Sequence, residues 1–239
     1  MSVPSTELTI RENPGNVWRV GFAPDPWAWS DWKYAIDEGR FNGRWDDLRG
    51  QFRTVYAGNT LYACRIEVLA KYRRDAALAL ELDGINEDPA DTDEFPARPA
   101  ATVGYDWLEL RLASSGMLGG MFGDINASAT IAALWPRFAP MAIELGAKDF
   151  DLAALKDSGP RDLTRSIASW LYALTDPVID GVEFSSRHGD DLRLWAIFER
   201  PSGETNVSPL LTQRENSRLT PETPELVEAF RTLGLAWAS

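Results

Sequence analysis

The stretch 41–69, FNGRWDDLRGQFRTVYAGNTLYACRIEVL, constrains the fold of this chain most, because it holds three kinds of local signal in succession. A glycine, an arginine and a tryptophan at 43–45 form a turn, and a β-prone run then ends at Tyr56. Small residues break the strand, and a helix follows for which Asn59 or Thr60 is a suitable N-cap. The order predicts a junction where side chains from a turn, a strand and a helix meet.

The helix carries an apolar stripe, because its apolar residues recur at spacings of three and four. The residues of the stripe are Leu61, Cys64, Val68 and Tyr72. Glu67 lies outside it, about a quarter-turn from its centre at roughly 100° per residue. This position on the border of the stripe lets a carboxylate be partly shielded and still reach a cleft.

Arg44, Tyr56 and Glu67 are the residue types that a site for an anionic nucleotide with a cleavable glycosidic bond requires. A guanidinium forks onto phosphate oxygens, and an aromatic ring covers a flat base. A carboxylate stabilises positive charge that develops on a ribose. The pattern therefore indicates a nucleotide site at this junction.

The same residues have ordinary structural interpretations. Glu67 and Lys71 are four apart with the glutamate first, which is the favourable order for an ion pair on a helix surface. Tyr56 is also compatible with a plain strand residue, and Arg44 with a solvated turn residue. Residue types alone leave these alternatives open.

Two separated blocks resemble the RES-domain family. The first consists of Gly-Arg-Trp at 43–45, Val-Tyr-Ala at 55–57 and Cys-Arg-Ile-Glu-Val-Leu at 64–69. The family pattern has a G-R-W-N turn, a Y-x-A strand end and an alanine-rich helix that ends in E-V. Asp46 departs from it, because the family usually has asparagine there.

The second block is Gly-Val-Glu-Phe-Ser-Ser at 181–186, which is similar to the family segment G-I-R-Y-x-S. The family is named for an arginine, a glutamate and a serine, and this block places the serine at Ser186. Phe184 departs from the pattern, which often has tyrosine. Both departures concern the positioning of a substrate more than membership of the family.

The resemblance implies cleavage of the nicotinamide glycosidic bond of NAD, by a glycohydrolase with water as acceptor or by a phosphorylase with inorganic phosphate as co-substrate. Arg44 would bind the pyrophosphate, with Trp45 and Tyr56 beside the dinucleotide. Glu67 would stabilise an oxocarbenium-like transition state, and Ser186 would position a ribose or phosphate oxygen. No cofactor beyond NAD as substrate is implied, and no metal.

The resemblance also implies a toxin that is neutralised by an antitoxin with an Xre-type helix-turn-helix domain. A homodimer is the assembly considered for the chain itself. Two alternatives stay open: an ADP-ribosyltransferase that modifies a macromolecule, and a non-catalytic protein-interaction module.

The amino-acid composition limits the kinds of molecule that the protein can bind. The 239 residues include 24 basic and 36 acidic ones, a net charge of −12, which opposes non-specific binding to nucleic acid or anionic membranes. An anionic substrate must therefore be met by local arginines. One cysteine and one histidine leave almost no ligands for a zinc site and none for an internal disulfide. With no signal peptide or long apolar run visible, we expect a cytoplasmic protein.

The alternation of elements predicts a single α+β domain, a bent mixed or antiparallel sheet flanked by helices. The resemblance implies that this fold is ADP-ribosyltransferase-like. We expect an irregular leader at 1–16, a catalytic domain at 17–200 with an acidic excursion at 81–100, and an extension at 201–239 that ends in a helix.

Several stretches carry more specific expectations. We predict strands at 17–22, 105–112, 181–186 and 192–199, and helices at 61–80, 127–134, 152–156, 161–175 and 224–233. Prolines 136 and 140 are expected to end the second of these helices. Four glycines at 116–123 fit a turn between strands and not a phosphate loop.

Two polar or aromatic groupings allow competing interpretations. The tryptophan-dense loop 24–32 either stacks sugars or bases, or covers an edge of the domain or the surface of a partner. Ser186 and His188 suggest a hydrolase triad, but neighbours this close seldom point at each other productively, and no G-x-S-x-G motif is present. Ser186 therefore fits a ligand-positioning role better, with Arg187 as a second contact for an anion.

Overall fold

The computed structural model describes residues 8–36, 39–73, 101–157, 159, 161–201 and 205–238. Within these residues, eight strands form one sheet and two short strands pair separately. The strands of the sheet are Ile10–Glu12 (β1), Gly15–Phe22 (β2), Thr54–Gly58 (β3), Arg111–Leu118 (β5), Met121–Asp124 (β6), Gly181–Ser186 (β7), Gly189–Phe198 (β8) and Leu211–Arg218 (β9). The separate parallel pair consists of Thr102–Val103 (β4) and Ala236–Trp237 (β10).

The strand order in the sheet is β1-β6-β7-β8-β3-β2-β5-β9. Neighbouring strands are antiparallel except β6 and β7, which are parallel. A tight turn at Arg187 and His188 joins β7 to β8. The predicted α+β class, with one mixed and mostly antiparallel sheet in a single domain, is confirmed.

Six α-helices accompany the sheet in the described residues. They are Leu61–Leu69 (α1), Asp106–Glu109 (α2), Ser128–Glu144 (α3), Leu152–Lys156 (α4), Asp162–Tyr172 (α5) and Pro224–Leu233 (α6). Buried residues of α1, α3, α5 and α6 belong to one large hydrophobic core on one face of the sheet, for example Ile66, Leu134, Ile167 and Phe230. Helices α5 and α6 are amphipathic, whereas α1 is buried around most of its circumference, and all four gain most of their stability from this packing.

The tryptophan-dense loop covers the opposite face of the sheet. Trp27 and Trp29 are buried in a second core with Val55 of β3 and Ile197 of β8. The Trp27 indole Nε1 donates a hydrogen bond of 2.7 Å to Ser114 Oγ. Successive side chains of a strand point to opposite faces, so Val55 faces this second core while Tyr56 faces the helices. Trp27 and Trp29 thus pack on a face of the sheet, whereas Trp32, the third tryptophan of the loop, is 40% exposed.

The sheet opens between β2 and β3. The register between these two strands consists of one pair, Trp18 opposite Gly58, whereas β2 pairs with β5 along its whole length. The Arg19 guanidinium crosses this gap: its NH1 donates to the Tyr56 carbonyl at 2.6 Å and its Nε to the Pro26 carbonyl at 2.5 Å. Gly21 permits the loop to approach, because a Cβ there would lie 2.6 Å from the Pro26 carbonyl oxygen. The gap leaves room for a cavity on the helix side.

Most predicted elements are present. Strand β2 contains the predicted strand 17–22, and β7 coincides with 181–186. Helix α1 begins as expected, because the Thr60 side chain accepts a hydrogen bond of 3.0 Å from Ala63 N. Gly234 ends α6 in the left-handed conformation, with φ of 65°.

Two helix predictions are wrong. Helix α3 runs through Pro136 and Pro140 without a break, because both prolines lie on its solvent face while Phe138 and Ala142 are held in the core. Loss of hydrogen bonds on that face costs less than losing this buried packing. Helix α1 ends at Leu69 and one 3₁₀ turn follows at Ala70–Tyr72, so the predicted helix does not continue through this turn; its remainder, 74–80, lies outside the described residues.

Other predictions need smaller corrections. Part of the predicted strand 105–112 is the short helix α2, with Trp107 buried, and the strand begins only at Arg111. The predicted strand 192–199 begins earlier, because β8 starts at Gly189 directly after a tight hairpin turn. Strand β1 lies within the stretch predicted to be an irregular leader.

The predicted boundary at residue 200 does not divide the structure. Strand β9 follows it and pairs with β5 in the main sheet, so residues after 200 complete the same fold. The acidic excursion and residues 1–7 of the leader lie outside the described residues. Likeness to ADP-ribosyltransferases stays a prediction.

Candidate active site

A cavity of about 560 Å³ lies on the helix side of the gap between β2 and β3. Its volume falls in the range of about 300–1,000 Å³ that is usual for small-molecule sites. Arg44, Tyr56, Glu67 and Ser186, which come from four different segments, all line it. The structure thus brings together the four residues predicted to be catalytic.

Trp45 does not line the cavity with them. Its side chain is buried in the large core, with the ring centroid 5.6 Å from that of Phe184. The prediction that Trp45 contacts the dinucleotide is therefore corrected: the indole supports the turn from behind. Phe184 lies between Trp45 and the cavity, because it packs on the Trp45 ring and also lines the cavity.

The turn that presents Arg44 is closed by a tyrosine and an aspartate. The Tyr56 hydroxyl donates to Asp46 Oδ1 at 2.9 Å and accepts from Trp45 N at 2.9 Å. Asp46 Oδ2 accepts from Gly43 N. Asp46 accepts in both contacts, through two different carboxylate oxygens. An asparagine has one carbonyl oxygen and could accept in only one of them, so the aspartate at this position suits a turn in which both Gly43 N and the Tyr56 hydroxyl donate.

Burial controls the protonation of this pair. It raises the pKa of the Tyr56 phenol well above its usual value, so the hydroxyl remains a donor at neutral pH. Burial also raises the pKa of the Asp46 carboxyl, while its hydrogen bonds from Gly43 and Tyr56 act in the opposite direction. Tyr56 therefore has a positioning role in the turn as well as a place in the cavity wall.

Gly43 makes this closed turn possible. A Cβ at Gly43 would lie 2.6 Å from both carboxylate oxygens of Asp46 and would overlap the Tyr56 hydroxyl. We expect Gly43→Ala to lower the free energy of unfolding by about 1–3 kcal/mol, because the overlap must be relieved by shifting the turn. Urea denaturation measures this change.

Gly119→Ala is the matched control for Gly43→Ala. Gly119 lies outside the cavity, and a Cβ there would meet its nearest atom, Asn13 Oδ1, at an ordinary 3.4 Å. We expect its unfolding free energy to change by less than about 1 kcal/mol. Equal destabilisation by both substitutions would contradict the role given to the Gly43 contacts.

Helix α5 holds the same turn from the other side. Thr164 Oγ1 donates to the Arg44 carbonyl at 2.6 Å, and the Arg165 guanidinium donates to the Gly43 carbonyl at 3.2 Å and the Phe41 carbonyl at 2.9 Å. Both side chains are buried. The sequence predicts this helix but not the two side chains that hydrogen-bond to the turn, because their partners are more than a hundred residues away.

Arg44 is fixed at the cavity wall by a helix C-terminus. Its NH2 donates to the Lys156 carbonyl at 3.0 Å and its NH1 to the Leu155 carbonyl at 3.5 Å, at the end of α4. Burial lowers the pKa of Arg44, and the nearby Glu67 carboxylate acts in the opposite direction. A guanidinium has five N–H donors, so donors remain for an anion.

Glu67 is paired with Ser186 across the cavity. The Ser186 hydroxyl donates to Glu67 Oε1 and accepts from His188 N at 2.9 Å. Ser186 is buried, whereas the Glu67 side chain is exposed to the cavity. In the described part of the chain, no hydrogen bond engages Glu67 Oε2. The serine therefore orients one carboxylate oxygen and leaves the other free for a ligand.

The hydrolase triad is not formed. The contact between Ser186 and His188 runs through the backbone amide of His188, and its imidazole Nε2 lies 3.4 Å from Arg187 Nε. Burial lowers the pKa of His188, which favours the neutral imidazole at pH 7. Cys64 is no nucleophile either, because burial raises its pKa to about 12 and its thiol donates to the Trp18 carbonyl.

The cavity is cationic although the chain is acidic. Among the described residues that line it, Glu67 is the one carboxylate, while six side chains are basic. The basic residues are Arg19, Arg44, Lys71, Arg111, Arg161 and Arg187. The sequence pointed to Arg44 and Arg187 and missed Lys71, Arg111 and Arg161, because no local pattern separates these from solvated charges.

The described residues contain neither a cluster of metal ligands nor a helix that could span a membrane. They contain no group of three or more His, Cys, Asp or Glu side chains that could hold a metal ion. None of their helices is both long enough and apolar enough to cross a membrane.

The fold and the cavity define an α+β domain with a basic ligand site that contains one serine-oriented carboxylate. The RES domain family matches residues 16–220, and the chain belongs to this family. No curated protein matches the sequence. A chain in the crystal structure of the M. tuberculosis MbcT–MbcA toxin–antitoxin complex is similar, with 16% identity and a TM-score of 0.47 over 96% of this chain and 93% of that one.

Proposed function

We propose that the protein consumes NAD by cleaving the bond between nicotinamide and ribose, as an NAD glycohydrolase or NAD phosphorylase. One observation carries the proposal: a cavity of dinucleotide-binding size holds six basic side chains and a single carboxylate that a serine orients. Membership of the RES domain family supports it.

The basic lining suits the pyrophosphate of NAD. In a chain of net charge −12, six cations around one cavity create a local positive potential that attracts an anion. Arg44 is the best placed to bind phosphate oxygens, because its guanidinium is held by backbone carbonyls and loses little freedom on binding. Arg161 and Arg187 supply further charge at the same wall.

Glu67 supplies the complementary negative charge. When the C1′–N1 bond breaks, its electron pair leaves with nicotinamide as a neutral base, and positive charge develops on the ribose. A carboxylate beside the sugar stabilises that charge most in the transition state. Ser186 keeps Glu67 Oε1 in place, so Oε2 is available to the ribose.

The acceptor completes the reaction at the sugar carbon. Water adds there and loses a proton to give ADP-ribose, whereas inorganic phosphate gives ADP-ribose 1″-phosphate. A cationic cavity suits either acceptor, because phosphate can use the same arginines. Both reactions remain within the proposal.

The test is incubation of purified protein with NAD labelled in its adenylate half, with and without phosphate. We expect loss of NAD and release of nicotinamide. ADP-ribose in phosphate-free buffer identifies hydrolysis, and a phosphorylated product that requires phosphate identifies phosphorolysis. Intact NAD would contradict the proposal, and so would label attached stably to protein or nucleic acid.

We further propose that this activity is that of a toxin, restrained by a helix-turn-helix antitoxin. Family membership supports this role. Expression of the protein alone is expected to lower cellular NAD and stop growth, and co-expression of a helix-turn-helix protein encoded beside it should restore both. Unaffected growth with depleted NAD would contradict the toxin role and leave the enzymatic one intact.

A further inference from the structure

One end of the cavity is formed by an aromatic and cationic surface that the proposed chemistry does not use. Phe22, Trp107 and Arg111 line this end. Phe22 is 62% exposed, whereas Trp107 is buried. Phe22 and Arg111 are register partners on β2 and β5, so their positions relative to each other are set by the sheet.

Arg111 is held against both rings. Its guanidinium carbon lies 4.5 Å from the centroid of the Phe22 ring and 5.0 Å from that of the Trp107 ring. Its NH1 donates to the Trp107 carbonyl at 3.1 Å. An ordered guanidinium beside an exposed phenyl ring offers a flat base two surfaces on which to stack.

This surface lies away from the reacting carboxylate along β2. Trp18 of β2 lies opposite Gly58 of β3. Strand β8 carries this register on to Phe184 of β7, two residues before Ser186, the partner of Glu67. At a strand rise of about 3.3 Å per residue, Phe22 is about 13 Å beyond Trp18. The cavity therefore has two chemically different ends joined by basic residues.

Charge distinguishes the two bases of NAD. The nicotinamide ring of NAD is cationic and belongs with a carboxylate, whereas adenine is neutral and tolerates a guanidinium. Glu67 is at one end and Arg111 at the other, so only one orientation of the dinucleotide pairs both bases favourably.

We propose that Phe22 and Arg111 form the adenine subsite, and that they direct the nicotinamide riboside to Glu67. This inference rests on the proposed function, because it assigns the second base of the same substrate. Trp107 has a positioning role, since it supports the Arg111 guanidinium from the buried side.

The test compares ligands with and without adenine. Isothermal titration calorimetry is used with ADP-ribose and with nicotinamide mononucleotide, on wild type and on Phe22→Ala. We expect Phe22→Ala to weaken ADP-ribose binding about tenfold, because a base loses its stacking partner. Binding of nicotinamide mononucleotide, which lacks adenine, should change less than twofold. Phe22→Tyr keeps a ring and should retain most of the affinity for ADP-ribose.

Kinetics provide a second readout. The Phe22→Ala variant is expected to raise KM for NAD about tenfold with a much smaller effect on kcat, because stacking of a remote base is the same in ground and transition states. Ile143→Ala is the matched control, since this exposed apolar residue on α3 lies outside the cavity lining. It should leave both binding and kinetics unchanged.

The outcomes separate the two proposals. Equal loss of affinity for both ligands, unchanged affinity for ADP-ribose, or no binding of ADP-ribose by wild type would overturn the adenine subsite. Adenine-dependent binding at Phe22 without any consumption of NAD would support the subsite and contradict the proposed reaction.

Discussion

Glu67→Gln is expected to lower kcat for NAD cleavage by on the order of a hundredfold or more, because it removes the negative charge that opposes the developing charge on ribose. The change is nearly isosteric, and the amide oxygen can still accept from Ser186. Because the Glu67 side chain is exposed to the cavity and not packed in the core, the unfolding midpoint should stay close to that of wild type. Initial rates of nicotinamide release measure the effect.

Glu228→Gln is the control for this substitution. Glu228 lies on α6, its side chain is 53% exposed, and it does not line the cavity. Its activity should match that of wild type within twofold. If Glu67→Gln retained more than a tenth of the wild-type kcat, Glu67 could not be the residue that stabilises the transition state.

Arg44→Ala is expected to lower kcat/KM by on the order of a hundredfold, because a charge-assisted, forked contact with the pyrophosphate is lost. The substitution also removes the donors to the Leu155 and Lys156 carbonyls, so a small loss of stability should accompany it. Steady-state kinetics with NAD and thermal unfolding separate the two effects.

Arg44→Lys tests whether charge alone is sufficient, and Arg218→Ala is the control. Lysine keeps the charge but cannot form the planar fork, so Arg44→Lys should recover only part of the lost kcat/KM. Arg218 is an exposed residue of β9 outside the cavity, and its substitution should have no effect on NAD cleavage. Full activity of Arg44→Ala would show that the anion is bound elsewhere.

Local signals predicted the elements around the cavity well. The Thr60 cap and the strand at 181–186 each depend on residues within a few positions of one another. The predicted stripe of α1 was wrong in detail, because Ile66 and Leu69 are buried while Val68 is half-buried. The same kind of reasoning failed for Pro136 and Pro140, because tertiary packing of Phe138 outweighs the lost hydrogen bonds. Local preference decides an element where packing does not oppose it.

The position of Trp45 shows what a sequence motif does not specify. Its place beside Arg44 in the motif suggested a contact with the dinucleotide, but the turn directs neighbouring side chains in different ways: Arg44 reaches the cavity and Trp45 the core. A motif identifies residues that are needed together and does not say which of them meets a ligand.

The sequence by itself determined the family and the α+β class, and it pointed to the four side chains that the cavity brings together, because motif spacing and periodicity are encoded over short distances. The tertiary structure alone decided that Ser186 orients Glu67, that α4 and α5 hold the turn of Arg44, and that Arg111 meets Phe22. Each of these contacts joins residues about 90 to 120 positions apart, and their pairing depends on strand order and helix packing, which no local pattern specifies.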